Sequence, residues 1–169
     1  MKKIPLTQGK FAIVDDWNYE WLNQWKWCAN KYHNTYYAIR AQHNPETNRP
    51  TIIYMHREIL GLTKGDGIVT DHGNHNGLDN QETNIRRCSN KQNIQNSLLR
   101  KDNTSGYKGV SWNRPVKKWG ASIRDNGKKI NLGYFTRSID AAKVYDKKAK
   151  ELFGKYAYTN FGQSRVASA

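Results

Sequence analysis

Asn126-Gly127 restricts this chain more than any other pair of residues in it. Both residues tolerate positive φ, and with alternating apolar and polar residues on either side they make a two-residue hairpin turn that sets the strand register. Asp125 then opposes Lys128, Arg124 opposes Lys129, Ile123 opposes Ile130 and Ser122 opposes Asn131. One face carries Ala121, Ile123, Ile130 and Leu132, and the other carries Lys118, Ser122, Arg124, Lys129 and Asn131. The first face is built for a core and the second for water. Like charges directly opposite one another destabilise a sheet, so Arg124 beside Lys129 makes sense where an anion lies across both. Tyr107 to Trp112 supplies a third strand. Ser138 to Phe153, closed by Gly154, reads as a helix with Ala142, Tyr145, Ala149 and Leu152 spaced to cover the apolar face.

The distribution of charge names the class of partner. The 169 residues carry 28 Lys+Arg and 14 Asp+Glu, a net of +14. Residues 1–98 hold 12 basic and 9 acidic residues, a net of +3, whereas residues 99–169 hold 16 and 5, a net of +11. With 37% hydrophobic residues the chain is too apolar for a disordered polycation. Its apolar runs, such as Thr51 to Met55, fall far short of the ~20 residues a membrane span needs, and Met1-Lys2-Lys3-Ile4-Pro5 lacks a signal-peptide core. Cys28 and Cys88 cannot supply a disulfide framework or a four-thiolate zinc site, so a reduced, cytoplasmic setting is expected. Without a basic amphipathic helix or lipidation motif, double-stranded DNA is the expected partner, with no membrane, and a monomer is the expected state. A basic face that merely keeps the protein soluble is the competing reading. It is the weaker one, because the charge is segregated and shares its face with residues able to contact bases.

Gly106-Tyr107-Lys108-Gly109-Val110, Trp119-Gly120-Ala121-Ser122-Ile123-Arg124, Leu132-Gly133-Tyr134-Phe135, Ala141-Ala142-Lys143-Val144-Tyr145-Asp146 and Asn160-Phe161 together resemble the APETALA-two/ethylene-response-factor DNA-binding domain across its length. The resemblance implies a three-stranded sheet in the DNA major groove, backed by a helix. It places basic DNA contacts at Lys108, Arg114, Lys118, Arg124 and Lys129, and Ser111, Ser122 and Asn131 are expected to contact DNA beside them. Ser111 and Asn131 stand where plant members commonly carry arginine and tryptophan, so no target sequence is implied.

The first half reads as short strands at Phe11 to Val14, Trp25 to Asn30, Thr35 to Gln42 and Thr51 to Met55, with one or two helical turns over Tyr19 to Trp25. Trp17, Tyr19, Trp21, Trp25 and Trp27 could stack on bases, but alternation with polar residues and little basic charge favours a core role. A short helix follows at His56 to Gly61, and then a strand at Ile68 to His72. Gly73 to Asn84 is a loop almost wholly of Gly, Asn, Asp and His, long enough to suggest function. Ile85 to Cys88 is a second strand, and Ser89-Asn90-Lys91-Gln92 has the spacing of a capping box opening a helix toward Leu99.

Phosphodiester hydrolysis needs a cation to neutralise developing charge and a base to activate water. Asp71-His72 at a strand end, Asn84 thirteen residues after Asp71, and Asn93 in the first turn of the capped helix can supply both. A carboxylate and an amide oxygen suit magnesium or manganese rather than zinc, and histidine titrates in the range of a base near neutrality. These residues, with Met55-His56-Arg57 before and Asn84-Ile85-Arg86-Arg87 after, resemble the HNH endonucleases of phage and homing type. The resemblance implies a ββα-metal site in which Asp71 and Asn93 bind one metal, His72 is general base and Asn84 braces the loop. Arg86 or Arg87 could clamp the scissile phosphate, and since strand alternation lets only one face it, Arg86 is the favoured one. His75 is an added ligand or phosphate contact, or a solvent-exposed loop residue. His33, His43 and His56 read as structural or surface residues.

The expected fold class is α+β: a small β-rich HNH module over residues 1–98, with its ββα motif at about 68–98, and a three-stranded sheet on one helix over residues 106–162. A basic linker (99–105) joins them, and 163–169 is a tail. The expected function is a metal-dependent, site-directed DNA endonuclease of homing or mobile-element type, working in a bacterial or phage-infected cell. A DNA-binding regulator with an inactive nuclease fold, or a protein acting on RNA, is the alternative.

Overall fold

The computed structural model describes residues 1–162, so the tail expected at 163–169 lies outside the described residues. It is an α+β protein whose chain divides into two compact units, Met1–Asn90 and Lys91–Ala169.

In the first unit β1 (Lys2–Pro5) pairs antiparallel with β2 (Phe11–Val14). Strand β1 has no counterpart among the expected strands, since four residues with two lysines carry almost no periodicity. Helix α1 (Asp16–Asn23) leads to a three-stranded antiparallel sheet of β3 (Cys28–Tyr32), β4 (Thr35–Asn44) and β5 (Arg49–Tyr54), with β4 central. Ile4, Ala12, Val14, Leu22, Trp27, Ala29, Ala38 and Met55 are buried together as its core. Trp27 enters this apolar set because its indole N–H donates to the Leu22 carbonyl at 2.8 Å, so no donor is left unsatisfied. Tyr19 and Trp21 pack against the same core. Trp17 and Trp25 remain exposed, the first donating to Glu82 and the second lying 4.5 Å from the Arg40 guanidinium. Helix α2 (Met55–Ile59) follows, and then β6 (Val69–His72) pairs antiparallel with β7 (Ile85–Cys88).

The second unit begins within helix α3 (Asn90–Gln95), which stops four residues short of the expected Leu99. Its Ile94 is 70% exposed and buries nothing, so the turn lacks the packing that extends most protein helices. Strands β8 (Val110–Asn113), β9 (Lys118–Asp125) and β10 (Lys128–Phe135) form one antiparallel sheet with β9 central, covered by helix α4 (Ser138–Phe153). The four pairs nearest the Asn126-Gly127 turn stand in the expected register. Beyond Asn131 the ladder shifts by one, so Gly133, not Leu132, faces Ala121. The Asn131 side-chain oxygen accepts the Gly133 N–H at 3.0 Å, which satisfies the donor the irregularity frees. Gly109 has φ +77, and a Cβ there would stand 2.0 Å from the Tyr145 ring, so the chain can pass the helix only without a side chain. Asp146, buried in α4, accepts from the backbone N–H groups of Asn160 and Phe161 at 2.8 Å each and ties the end of the domain to the helix.

Candidate functional site

The loop between β6 and β7 is rich in residues that favour turns, yet it is firmly held. Its own amides supply the first set of bonds. Asn84 Oδ1 accepts the Asn74 N–H at 2.9 Å, and Asn84 Nδ2 donates to the Asp79 carbonyl at 2.7 Å, so this one side chain spans the loop. Asn74 and Asn76 make short-range turns of the kind their side chains favour. The rest comes from the N-terminal strands and helix. Ile13 donates to the Leu78 carbonyl and accepts from Asn80, both at 2.8 Å, while Asp15 accepts the Glu82 N–H at 2.7 Å. Gly77 lies so close to β4 that a Cβ would meet the Tyr36 carbonyl at 2.5 Å and the Tyr37 ring at 2.7 Å.

Asp71 and His72 end β6, each only 6% exposed. Arg86 stands directly opposite Asp71 in the ladder, and its Nε and Nη2 donate to Asp71 Oδ2 at 2.8 and 2.5 Å. The expected phosphate clamp is therefore engaged with the expected metal ligand. Arg87 points elsewhere, donating to the Leu60 carbonyl. His72 sits among rings: His56 at 5.0 Å in an edge-on arrangement and Tyr37 at 5.7 Å between centroids. Burial lowers the His72 pKa, partly offset by its bond to Asn80 and by the charges of Asp71 and Asp79. Burial pushes His56 down to about 3, with the neighbouring His72 adding to it; His56 is thus a neutral ring at ordinary pH. Burial, then the Asp71 charge, raises Tyr37. His75 adopts φ 62 and is half-buried. Asn93 is exposed on α3 and belongs to the second unit.

Asn80 is the residue that sequence reasoning missed. It is fully buried, with Oδ1 3.3 Å from His72 Nε2. The signal lay in Asp79-Asn80, two turn formers lost among others in the loop. His56, expected as a structural residue, has its ring beside that of His72.

Among the described residues no group of three or more His, Cys, Asp or Glu could hold a metal. The donors present fit a different kind of site. Asp71, a buried carboxylate, is a hard donor of the kind magnesium or manganese takes alongside water and substrate phosphate, not part of a closed zinc cage.

The second unit carries a separate basic face. Ser111 pairs with Gly120, Asn113 with Lys118, Ser122 with Asn131 and Arg124 with Lys129, so strand alternation puts them on one side of the sheet. Ser111, Ser122, Lys129 and Asn131 line a cavity of about 250 Å³ on that side. Tyr134 lines it too, because the shift after Asn131 moves Tyr134 to the wet face and Phe135 onto the core. Arg114 and Lys118 flank the exposed turn between β8 and β9. Lys108 is placed differently from expectation. Its ammonium donates to the Gln95 and Ser97 carbonyls at 2.9 and 2.6 Å and lies 4.9 Å from the Tyr158 ring, while burial lowers its pKa to about 8. It fastens residues 95–97 to the domain instead of pointing from the sheet.

No family model and no solved structure matches the chain. Protein 3.8 of Escherichia phage T7 is 33% identical over 94 residues, which are 54% of this chain and 74% of that protein. The chain belongs to the Protein 3.8 family. An uncharacterized HNH endonuclease of Acanthamoeba polyphaga mimivirus is 28% identical over 159 residues, 90% of this chain and 76% of that protein. An ethylene-responsive transcription factor of Arabidopsis thaliana is 36% identical over 111 residues, 60% of this chain and 65% of the factor. Among the described residues no helix is long and apolar enough to cross a membrane.

Proposed function

We propose that this protein is a metal-dependent DNA endonuclease in which the first unit cuts and the second chooses and holds the site. The observation that carries the reading is the buried Asp71-His72 pair at the end of β6, facing β7 across a loop held by Asn84. Similarity to an HNH endonuclease along 90% of the chain supports it, as does similarity to a transcription factor for the DNA-binding role.

In this reading His72 takes a proton from water, and the hydroxide attacks phosphorus in line with the departing 3′ oxygen. Asp71 would supply a carboxylate oxygen to magnesium or manganese, which when bound would neutralise charge on the phosphate and the leaving oxygen. Asn84 holds the loop so that His72 keeps one position. Arg86 balances the Asp71 charge in this arrangement and reaches substrate phosphate only by turning away from it. Lys118, Arg124 and Lys129 hold phosphates or guanine edges, with Ser111, Ser122, Asn131 and Tyr134 beside them.

The test is conversion of supercoiled plasmid to nicked or linear forms with and without magnesium. Cleavage that requires the metal and yields ends that ligase reseals directly is the expected outcome. The bond between Arg86 and Asp71 favours a second reading, a DNA-binding regulator with a silent nuclease fold. Tight DNA binding without any metal-dependent cutting would select it.

A further inference from the structure

A neutral histidine carries its ring proton on one nitrogen and accepts with the other. For His72 the choice is made by a neighbour outside the expected set of site residues. Asn80 Oδ1 lies 3.3 Å from His72 Nε2. The other end of the same amide is oriented independently, because Asn80 Nδ2 is directed at the Leu78 carbonyl at 3.4 Å and Met55 Sδ at 3.5 Å. A carbonyl oxygen and a thioether sulfur accept hydrogen bonds and do not donate them, so the amide nitrogen belongs on their side and its oxygen on the histidine side. An amide oxygen only accepts. The hydrogen between Asn80 and His72 must therefore sit on Nε2.

Asn80 has little freedom to turn over. It is 0% exposed, its backbone N–H donates to the Ile13 carbonyl at 2.8 Å, and Met55 beneath it is a fully buried member of the core. The orientation of the ring is thus set by β2 and the core of the first unit, not by the tip of the loop.

We infer that Asn80 is a positioning residue that holds His72 as the Nε2–H tautomer, making Nδ1 the atom that takes the proton from water. The chemical role of Nδ1 rests on the proposed nuclease function; the tautomer does not. A water proton moves to Nδ1, leaving an imidazolium with hydrogen on both nitrogens. The hydroxide oxygen bonds to phosphorus while the bond from phosphorus to the 3′ oxygen breaks, its electron pair leaving on that oxygen. The Asn80 oxygen gains strength as an acceptor from Nε2–H at the moment the ring becomes charged.

The experiment is a two-bond proton–nitrogen correlation spectrum of the full chain with ring-labelled histidine, the His72 signals being assigned by their loss in His72→Gln. The expected wild-type pattern is protonated Nε2 and unprotonated Nδ1, and the reverse overturns the inference without need of any variant. Asn80→Leu, similar in size without an acceptor, should lose the single tautomer and lower kcat by about 10- to 100-fold with KM little changed. Asn80→Asp, which keeps an acceptor oxygen, should recover the tautomer relative to Asn80→Leu. Folding of both is checked by thermal melting. An Asn80→Leu protein that melts normally and retains wild-type tautomer and kcat overturns the inference. A wild-type protein with Nε2–H that cuts no DNA with magnesium supports the tautomer and overturns the nuclease reading.

Discussion

The loop around His72 and the sheet around Arg124 do opposite things with similar polar side chains. In the loop, Asn74, Asn76, Asn80 and Asn84 turn inward, bonding to backbone, to Asp79 and to His72. On the sheet, Arg124 and Lys129 are exposed with their charges toward solvent, and Asn131 is exposed beside them while its side-chain oxygen accepts the Gly133 N–H. The charge follows the same division, +3 over residues 1–98 and +11 over residues 99–169. An inward polar network fixes the geometry of a few atoms, and an outward one supplies long-range attraction that salt screens.

Predictions that would break or sharpen this contrast run from large effects to small. His72→Ala should cut plasmid cleavage by roughly 10²- to 10⁴-fold while DNA binding in a gel-shift titration stays the same; cutting at the wild-type rate would remove His72 from the chemistry. Gly109→Ala forces a methyl group into the Tyr145 ring, so the second unit should lose more than about 3 kcal/mol in denaturant unfolding. The double variant Arg124→Ala/Lys129→Ala should weaken DNA binding and reduce the slope of log K against log salt by about one unit for each phosphate no longer neutralised. An unchanged slope would take that face out of the interface.

Per pH unit, the smallest change is in pH dependence. The folded pKa of His56, about 3, lies below its ordinary value of 6.5. Between those values the unfolded chain binds the extra proton, so stability rises with pH across this window and is lost as pH falls from 6.5 toward 3. The loss is at most ~1.4 kcal/mol for each pH unit. His72, also lowered by burial, contributes in the same direction. Melting of His56→Phe from pH 7 to 4 should show a shallower decline than wild type, and an identical decline would locate the acid sensitivity elsewhere.

Much of the fold was legible because its signals are local. Asn126-Gly127 specified a turn and four cross-strand pairs, and β2, β7, β9, β10 and α4 occupy the residues their alternation or helical spacing indicates. The shift after Asn131 was not legible, since an irregularity that exchanges Tyr134 for Phe135 leaves the pattern of residue types nearly unchanged. Lys108 illustrates the same limit. Its position in a basic motif gave a surface role, and only the folded chain shows its ammonium held by the Gln95 and Ser97 carbonyls.

The candidate site divides in the same manner. Asp71, His72, Asn84 and Arg86 could be named from residue type and spacing along the chain. That Arg86 pairs with Asp71, that His56 and Tyr37 surround His72, and that Asn80 bonds to it depend on how strands and loop fold against one another. By itself the sequence determined which chemistry is available, because side-chain type and local period are written residue by residue. Tertiary structure alone decided which nitrogen of His72 faces an acceptor, because that depends on how Met55, Ile13 and Leu78 hold a buried amide in one orientation.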